Sequence, residues 1–195
     1  MDFLSPEEMA ALMKTTEEEN RCLIMCACLT GMRQGEILGL EWGDIDFDSS
    51  RIFVRRTYQK GRFYEPKTSY SKRAIVIPES LLEALKEHQI RQMVNGTASV
   101  ADLVFPNEVG KPIDPRNLVR RIFWPALVRA GLRRVRFHDL RHSYAAALLS
   151  KGENPKFIQR QLGHSRIQIT LDLYGHLLPE AERDVAARLE QALTP

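Results

Sequence analysis

Residues 136–152 read R-F-H-D-L-R-H-S-Y-A-A-A-L-L-S-K-G, followed by Q-L-G-H-S at 161–165 and L-D-L-Y-G at 171–175. His138 and Arg141 are three residues apart, so on a helix they share a face. His164 follows a glycine at a helix end, and Tyr174 closes a short apolar turn. A phenol, two imidazoles and a guanidinium make a poor metal site. They suit a reaction in which a tyrosine attacks phosphorus while cations hold the phosphate. Such a site needs a second arginine and a lysine, and the first half of the chain must supply them.

The chain has 195 residues, 44% hydrophobic and 27% charged, an ordinary balance for a globular protein. No apolar run approaches the ~20 residues of a membrane span, and the first residues lack the basic and apolar regions of a signal peptide. The expected compartment is the cytoplasm, with no membrane partner. Cys22 and Cys26 share a helix face, but no Cys or His follows at zinc-site spacing, so buried thiols are the better reading of Cys22, Cys26 and Cys28. The net charge of +3 is unevenly spread. Residues 51–73 carry eight bases against Glu65, and residues 111–142 carry nine against Asp114 and Asp139. Two basic segments on a nearly neutral chain point to a face that meets a polyanion, with nucleic acid first. Either segment alone reads equally well as a solvated surface.

Ser5-Pro6-Glu7-Glu8 starts a helix, residues 17–30 form a buried one that Gly31 breaks, and a short helix follows at 33–40. The pattern then switches to period two. I-F-V-R-R-T-Y, R-F-Y-E-P-K-T and K-R-A-I-V-I-P read as three antiparallel strands, with a tight turn near Ser69-Tyr70 joining the last two. Leu82, Leu85 and Met93 mark one face of a helix that stops at Asn95-Gly96. Asp114-Pro115 caps a helix to about Ala130 with a kink at Pro125. Helices after His138, after Asn154-Pro155 and after Ser165 end at Gly152, Gly163 and Tyr174. An acidic helix closes the chain at 179–195. The fold class is mainly α with a small three-stranded antiparallel sheet.

T-G-M-R-Q-G-E-I-L-G-L-E-W-G-D-I-D at 30–46, H-D-L-R-H-S-Y-A, L-G-H-S and the tyrosine ten residues later resemble the catalytic domain of the tyrosine recombinases, the phage integrase family. The resemblance covers nearly the whole chain and implies one catalytic domain over 1–195. Family members usually carry N-terminal core-binding and arm-binding domains, and this chain opens where the catalytic domain opens. The resemblance implies a tyrosine that attacks a DNA phosphodiester, leaving a 3′-phosphotyrosyl bond and a free 5′-hydroxyl, with no metal and no cofactor.

Carried over residue by residue, it assigns Arg33 and Arg141 as the arginines on the phosphate and Glu36 as the group that orients Arg33. Lys67 becomes the general acid, with Lys60 and Lys72 as nearby competitors. His138 accepts the tyrosine proton or steers the phosphate, His164 bonds a phosphate oxygen, and Tyr174 is the nucleophile. His142 buttresses the site. His88 and His176 read as core histidines, and Tyr144 as a core aromatic. Tyr58, Tyr64 and Tyr70 lie on the basic sheet. Candidates for DNA contact are Arg55, Arg56, Arg62, Lys72, Arg73, Arg116, Arg120 and Arg136.

The implied partners are double-stranded DNA, further copies of the chain in a tetramer on DNA, and accessory DNA-bending or directionality proteins. The 179–195 helix is expected to dock on its own domain or on a neighbouring subunit. Two readings compete. The 154–174 stretch also resembles a helix-turn-helix, which alone suggests a regulator without catalysis. Type IB topoisomerases and Xer-type resolvases share the chemistry, but the long 55–73 hairpin looks more like integrases of phages and mobile elements.

Overall fold

The computed structural model describes residues 3–65, 72–94, 96 and 102–174. Helix α1 (Pro6–Thr15) starts as its sequence demands. Ser5 Oγ accepts the Glu8 N–H, and the Glu8 carboxylate accepts the Ser5 N–H at 2.8 Å. Helix α2 (Glu18–Thr30) is the centre of the molecule, packed against α1, α3 (Gln34–Leu38), α4 (Glu79–Val94) and α7 (Asp139–Ser150). It buries Cys22, Leu23, Ile24, Cys26, Ala27 and Cys28. The three thiols are free, and burial pushes all of them up, so they behave as small apolar side chains.

Gly31 ends α2 in the left-handed conformation, φ 62°. A Cβ there would lie 2.6 Å from Tyr144 Cδ1 and 2.8 Å from Leu162 Cδ2. Gly31→Ala therefore meets both a backbone penalty of about 1–2 kcal/mol and a clash with two packed side chains. A lowered melting temperature is expected, and a melt equal to that of the parent chain would contradict it.

The extended segment differs from expectation in its pairing. Strands β1 (Ile45–Asp46), β2 (Arg51–Val54) and β5 (Arg73–Val76) form the three-stranded antiparallel sheet, in the order β1-β2-β5. Strands β3 (Thr57–Gln59) and β4 (Arg62–Tyr64) form a separate hairpin. The expected first strand thus breaks at Arg55-Arg56. There both side chains turn toward Asp44, a carboxylate 2% exposed, with Arg56 Nη1 at 2.5 Å from Oδ2. Lys60 and Gly61 take positive φ of 51° and 76°, the requirement of a two-residue hairpin turn matched to strand twist. The described parts of β4 and β5, expected to be neighbours across a tight turn, are not partners: β4 pairs with β3 and β5 with β2. The turn near Ser69-Tyr70 lies outside the described residues.

Met93 is a second correction. Leu82 and Leu85 are buried on α4, but Met93 is 54% exposed, because the inner face continues through Gln92, which binds the Val104 carbonyl and Trp42. His88 is a core histidine, with Nε2 2.7 Å from the Val104 carbonyl. Asp114 caps α5 (Pro115–Asn117) by accepting the Arg116 and Asn117 N–H groups. The chain then widens into a π-turn at Leu118–Phe123 before α6 (Trp124–Arg129). Pro125 has no N–H to donate and its ring would strike the carbonyl four residues back, so a wider turn stands where a kink was expected. Asn154 and Gly163 bound α8 (Pro155–Leu162), and α9 runs over Ile167–Tyr174. Tyr144 packs with Leu148 and Phe157 around Ala145, Leu149, Ile158 and Leu162. The stretch 179–195, expected to be a helix, and His176 lie outside the described residues. Among those residues, no helix is long and apolar enough to cross a membrane.

Candidate active site

Three helix termini converge. The first is the start of α3, reached through the left-handed Gly31. Arg33 takes the N-cap position with φ −72° and ψ 150°. The Glu36 carboxylate accepts the Arg33 backbone N–H at 2.8 Å and Arg33 Nη1 at 2.9 Å. Glu36 is no exposed partner of a surface pair: it is 5% exposed and is also gripped by Arg73, through Nη1 at 3.0 Å and Nη2 at 2.9 Å. Burial pushes the Glu36 carboxyl up, but the bonds and charge of Arg73, then of Arg33, outweigh it and hold the group at about 2. Gly35 lets the β3–β4 hairpin close onto this helix, since a Cβ there would meet Thr57 Oγ1 at 2.5 Å and the Tyr58 carbonyl at 2.6 Å.

The second terminus is the start of α7. Asp139, 3% exposed, accepts the Arg136 backbone N–H at 2.8 Å and its guanidinium, fixing the turn that presents His138. Arg141 is 3% exposed and donates Nη1 to the Gly31 carbonyl and Nη2 to the Leu162 carbonyl, both at 2.6 Å. His142 stacks edge-on against His138, with ring centroids 5.0 Å apart. The third is the α8–α9 corner. The Gln159 amide donates to the His164 carbonyl at 3.0 Å, and His164 Nδ1 lies 3.0 Å from Thr170 Oγ1.

Arg33, Arg73 and Arg141 all act on His164. Burial first, then the charges of Arg141, Arg33 and Arg73, bring its imidazole down to about 4. His138 is lowered by burial, then by His142, Arg141 and Arg33. His142 is lowered as well, chiefly by burial. Both effects disfavour the protonated ring, so near neutral pH these are neutral imidazoles among fixed cations. Arg33, Glu36, Tyr58, Lys60, Tyr64 and His138 line a cleft of about 880 Å³. The arrangement can hold an anion and exchange a proton with it.

The structure thus brings together Arg33, Glu36, His138, Arg141, His142 and His164. Lys67 and the side chain of Tyr174 lie outside the described residues, although α9 ends at Tyr174. Lys60 lies on the cleft wall, whereas exposed Lys72 pairs with Glu65. Arg62, Arg116 and Arg120 are exposed, as a polyanion contact requires. Arg136 is exposed but rests one edge on Asp139, and Arg55 reaches Asp44 at 3.6 Å. Arg56 is engaged with Glu41 and Asp44, and its side chain is 23% exposed. Arg73 corrects the sequence reading. Its side chain is buried on Glu36 and the Gln161 carbonyl, so it belongs to the site's scaffold and not to a DNA-facing surface. Period two carried the signal: Arg73 shares strand parity with Ile75 and Ile77, both buried. Gln34, which donates to the Pro115 carbonyl at 2.8 Å and ties α3 to α5, also escaped sequence reasoning.

A family model described as the phage integrase family matches residues 2–181. The tyrosine recombinase XerC-like protein of Caldanaerobacter subterraneus subsp. tengcongensis is 35% identical, over 97% of this chain and 54% of its own length. The ICEBs1 integrase of Bacillus subtilis is 32% identical, over 99% of this chain and 55% of its own. The chain spans about half the length of these relatives. The Tn1549 transposon integrase, solved with circular-intermediate DNA, superposes with a TM-score of 0.81 at 24% identity, over 96% of this chain and 67% of that one. At that identity the likeness shows the fold, and the expected class, mainly α with small antiparallel sheets, holds.

Proposed function

This chain belongs to the phage integrase family, and on that footing we propose that it is the catalytic part of a site-specific DNA recombinase. The observation that carries the reading is how the arginines gather: Glu36 holds Arg33 and Arg73, while Arg73 and Arg141 donate to the Gln161 and Leu162 carbonyls just before His164, beside a cleft lined by Arg33 and His138. Tyr174 Oη attacks the phosphorus of a DNA phosphodiester, the P–O5′ bond breaks, and a 3′-phosphotyrosyl ester remains. The ester conserves the energy of the bond for rejoining, so the cycle needs no ATP, and guanidiniums replace a metal in balancing charge. Arg33 and Arg141 stabilise the extra negative charge of the phosphorane-like state.

His138, neutral and cation-flanked, takes the phenol proton or steers the phosphate. With Nδ1 engaged at Thr170 Oγ1, His164 turns Nε2 to a phosphate oxygen. Lys67 protonates the departing O5′, a strongly basic leaving group. The partner is double-stranded DNA, with copies of this chain assembling as a tetramer on it and accessory bending or directionality proteins assisting in the cytoplasm. The long 55–73 segment favours an integrase of a phage or mobile element over a resolvase.

The test is covalent trapping. A pool of duplexes with randomised sequence, nicked so that the 5′ piece diffuses away, is mixed with the protein in chelator. Adducts that survive denaturant are captured and sequenced. A pool that yields none would sink the recombinase reading and leave a DNA-binding module. On a trapped duplex, Lys67→Ala is expected to slow cleavage and to recover on a 5′-phosphorothiolate, whose sulfur leaves without a proton. Equal slowing on both would move the acid to another residue, Lys60 first. Adduct formation should also stay level as pH falls through the ordinary histidine range near 6.5 and decline only below it, because both rings titrate low. A decline centred above 7 would exclude His138 as the base.

A further inference from the structure

Among the described residues, Arg73 donates to Glu36 and to the Gln161 carbonyl, and its side chain is 5% exposed. Nη1 donates to Glu36 Oε1 at 3.0 Å, Nη2 to Oε2 at 2.9 Å, and Nε to the Gln161 carbonyl at 2.6 Å. Glu36 receives Arg33 Nη1 on Oε1 and the Arg33 backbone N–H on Oε2. Each carboxylate oxygen therefore accepts one bond from each arginine, which fills its near lone-pair directions. One residue past Gln161, the Leu162 carbonyl receives Arg141. Arg73 thus joins β5 to the start of α3 and to the end of α8 that leads into His164.

We propose, on the footing of the recombinase reading above, that Arg73 is a positioning residue for the transesterification: it holds Glu36 as a fixed anionic anchor for Arg33 and fixes the end of α8 that carries His164. Arg33 is 41% exposed, so the two arginines divide the work: one is sunk against the carboxylate, the other reaches the cleft. Without Arg73, a buried carboxylate keeps a single half-exposed cation. It then draws Arg33 away from the phosphate or takes up a proton, and either change loosens Arg33 where negative charge develops. Its bonds to Glu36 and the Gln161 carbonyl are the route by which Arg73 acts on Arg33 and on the end of α8.

The test uses a duplex trapped by the parent chain and compares Arg73→Gln, Arg73→Lys and the double variant Glu36→Gln/Arg73→Met. Arg73→Gln is expected to slow single-turnover adduct formation about 10–10²-fold, while equilibrium affinity for the same duplex changes by less than about 2-fold. Arg73→Lys should recover part of the rate, since an ammonium cannot span both carboxylate oxygens and a carbonyl. The double variant removes the buried charge pair together, which protects the fold, and is expected to stay slow because Arg33 has lost its anchor. A double variant as fast as the parent would reduce Arg73 to a stabilising role and overturn the proposal. So would a loss of affinity as large as the loss of rate, which would make Arg73 a DNA contact. If the parent chain traps no duplex, it is the recombinase reading that fails. The Glu36 carboxyl then carries the test: its ¹³C resonance should titrate at higher pH in Arg73→Lys than in the parent, and an unchanged titration overturns the proposal.

Discussion

Tyr174→Phe is expected to abolish the covalent adduct and to leave DNA binding in place. The substitution removes one oxygen and keeps the ring, so α9, which packs on α7 and α8, retains its apolar character. With the proposed nucleophilic oxygen gone, the rate is expected to fall by at least about 10⁴-fold, to below detection. On the proposed reading, affinity for duplex DNA draws on exposed cations such as Arg62, Arg116 and Arg120, which the substitution does not touch. Denaturing gels and equilibrium binding on the same trapped duplex check both halves. An adduct that persists in Tyr174→Phe assigns the nucleophile to another tyrosine.

The second large effect separates two arginines that the proposed reaction uses alike and the fold does not. Arg33→Ala and Arg141→Ala are each expected to slow adduct formation by at least about 10²-fold, the loss of one preorganised donor to a developing oxyanion. Their melting temperatures should diverge. Arg33 is partly exposed and leaves Glu36 still held by Arg73, so Arg33→Ala should melt close to the parent. Arg141→Ala strips a donor from the Gly31 and Leu162 carbonyls. An unpartnered buried acceptor costs about 1–3 kcal/mol, so this variant should melt well below the parent. Thermal melts beside single-turnover rates decide it. Equal melts would show that the two carbonyls find other donors.

The helices were legible because their stops are local: Ser5 with Glu8, Asn154 with Pro155, and the left-handed Gly31 and Gly163 each act within a few residues. Strand pairing was not. Period two marks an extended segment but says nothing of its partner, and the break at Arg55-Arg56 answers Asp44, a buried charge eleven residues earlier in the chain. The Lys60-Gly61 turn was missed because its signal lacks the usual Asn-Gly or Asp-Gly chemistry. In the site, Arg33, His138, Arg141 and His164 lie at neighbouring helix ends. Arg73 was misread because its charge suggested solvent, while its strand parity with Ile75 placed it inside. Burial of an arginine depends on a carboxylate waiting for it, and Glu36 lies 37 residues away in sequence.

Arg141 bonds a carbonyl 110 residues upstream and another 21 residues downstream. During synthesis Gly31 leaves the ribosome early, Leu162 late and Tyr174 later still. Until Leu162 has emerged, the guanidinium lacks that mooring point and the cradle stays open. On the proposed reading, an interrupted chain has neither a set cradle nor Tyr174, and a cell making this protein is spared stray DNA breaks from its unfinished chains.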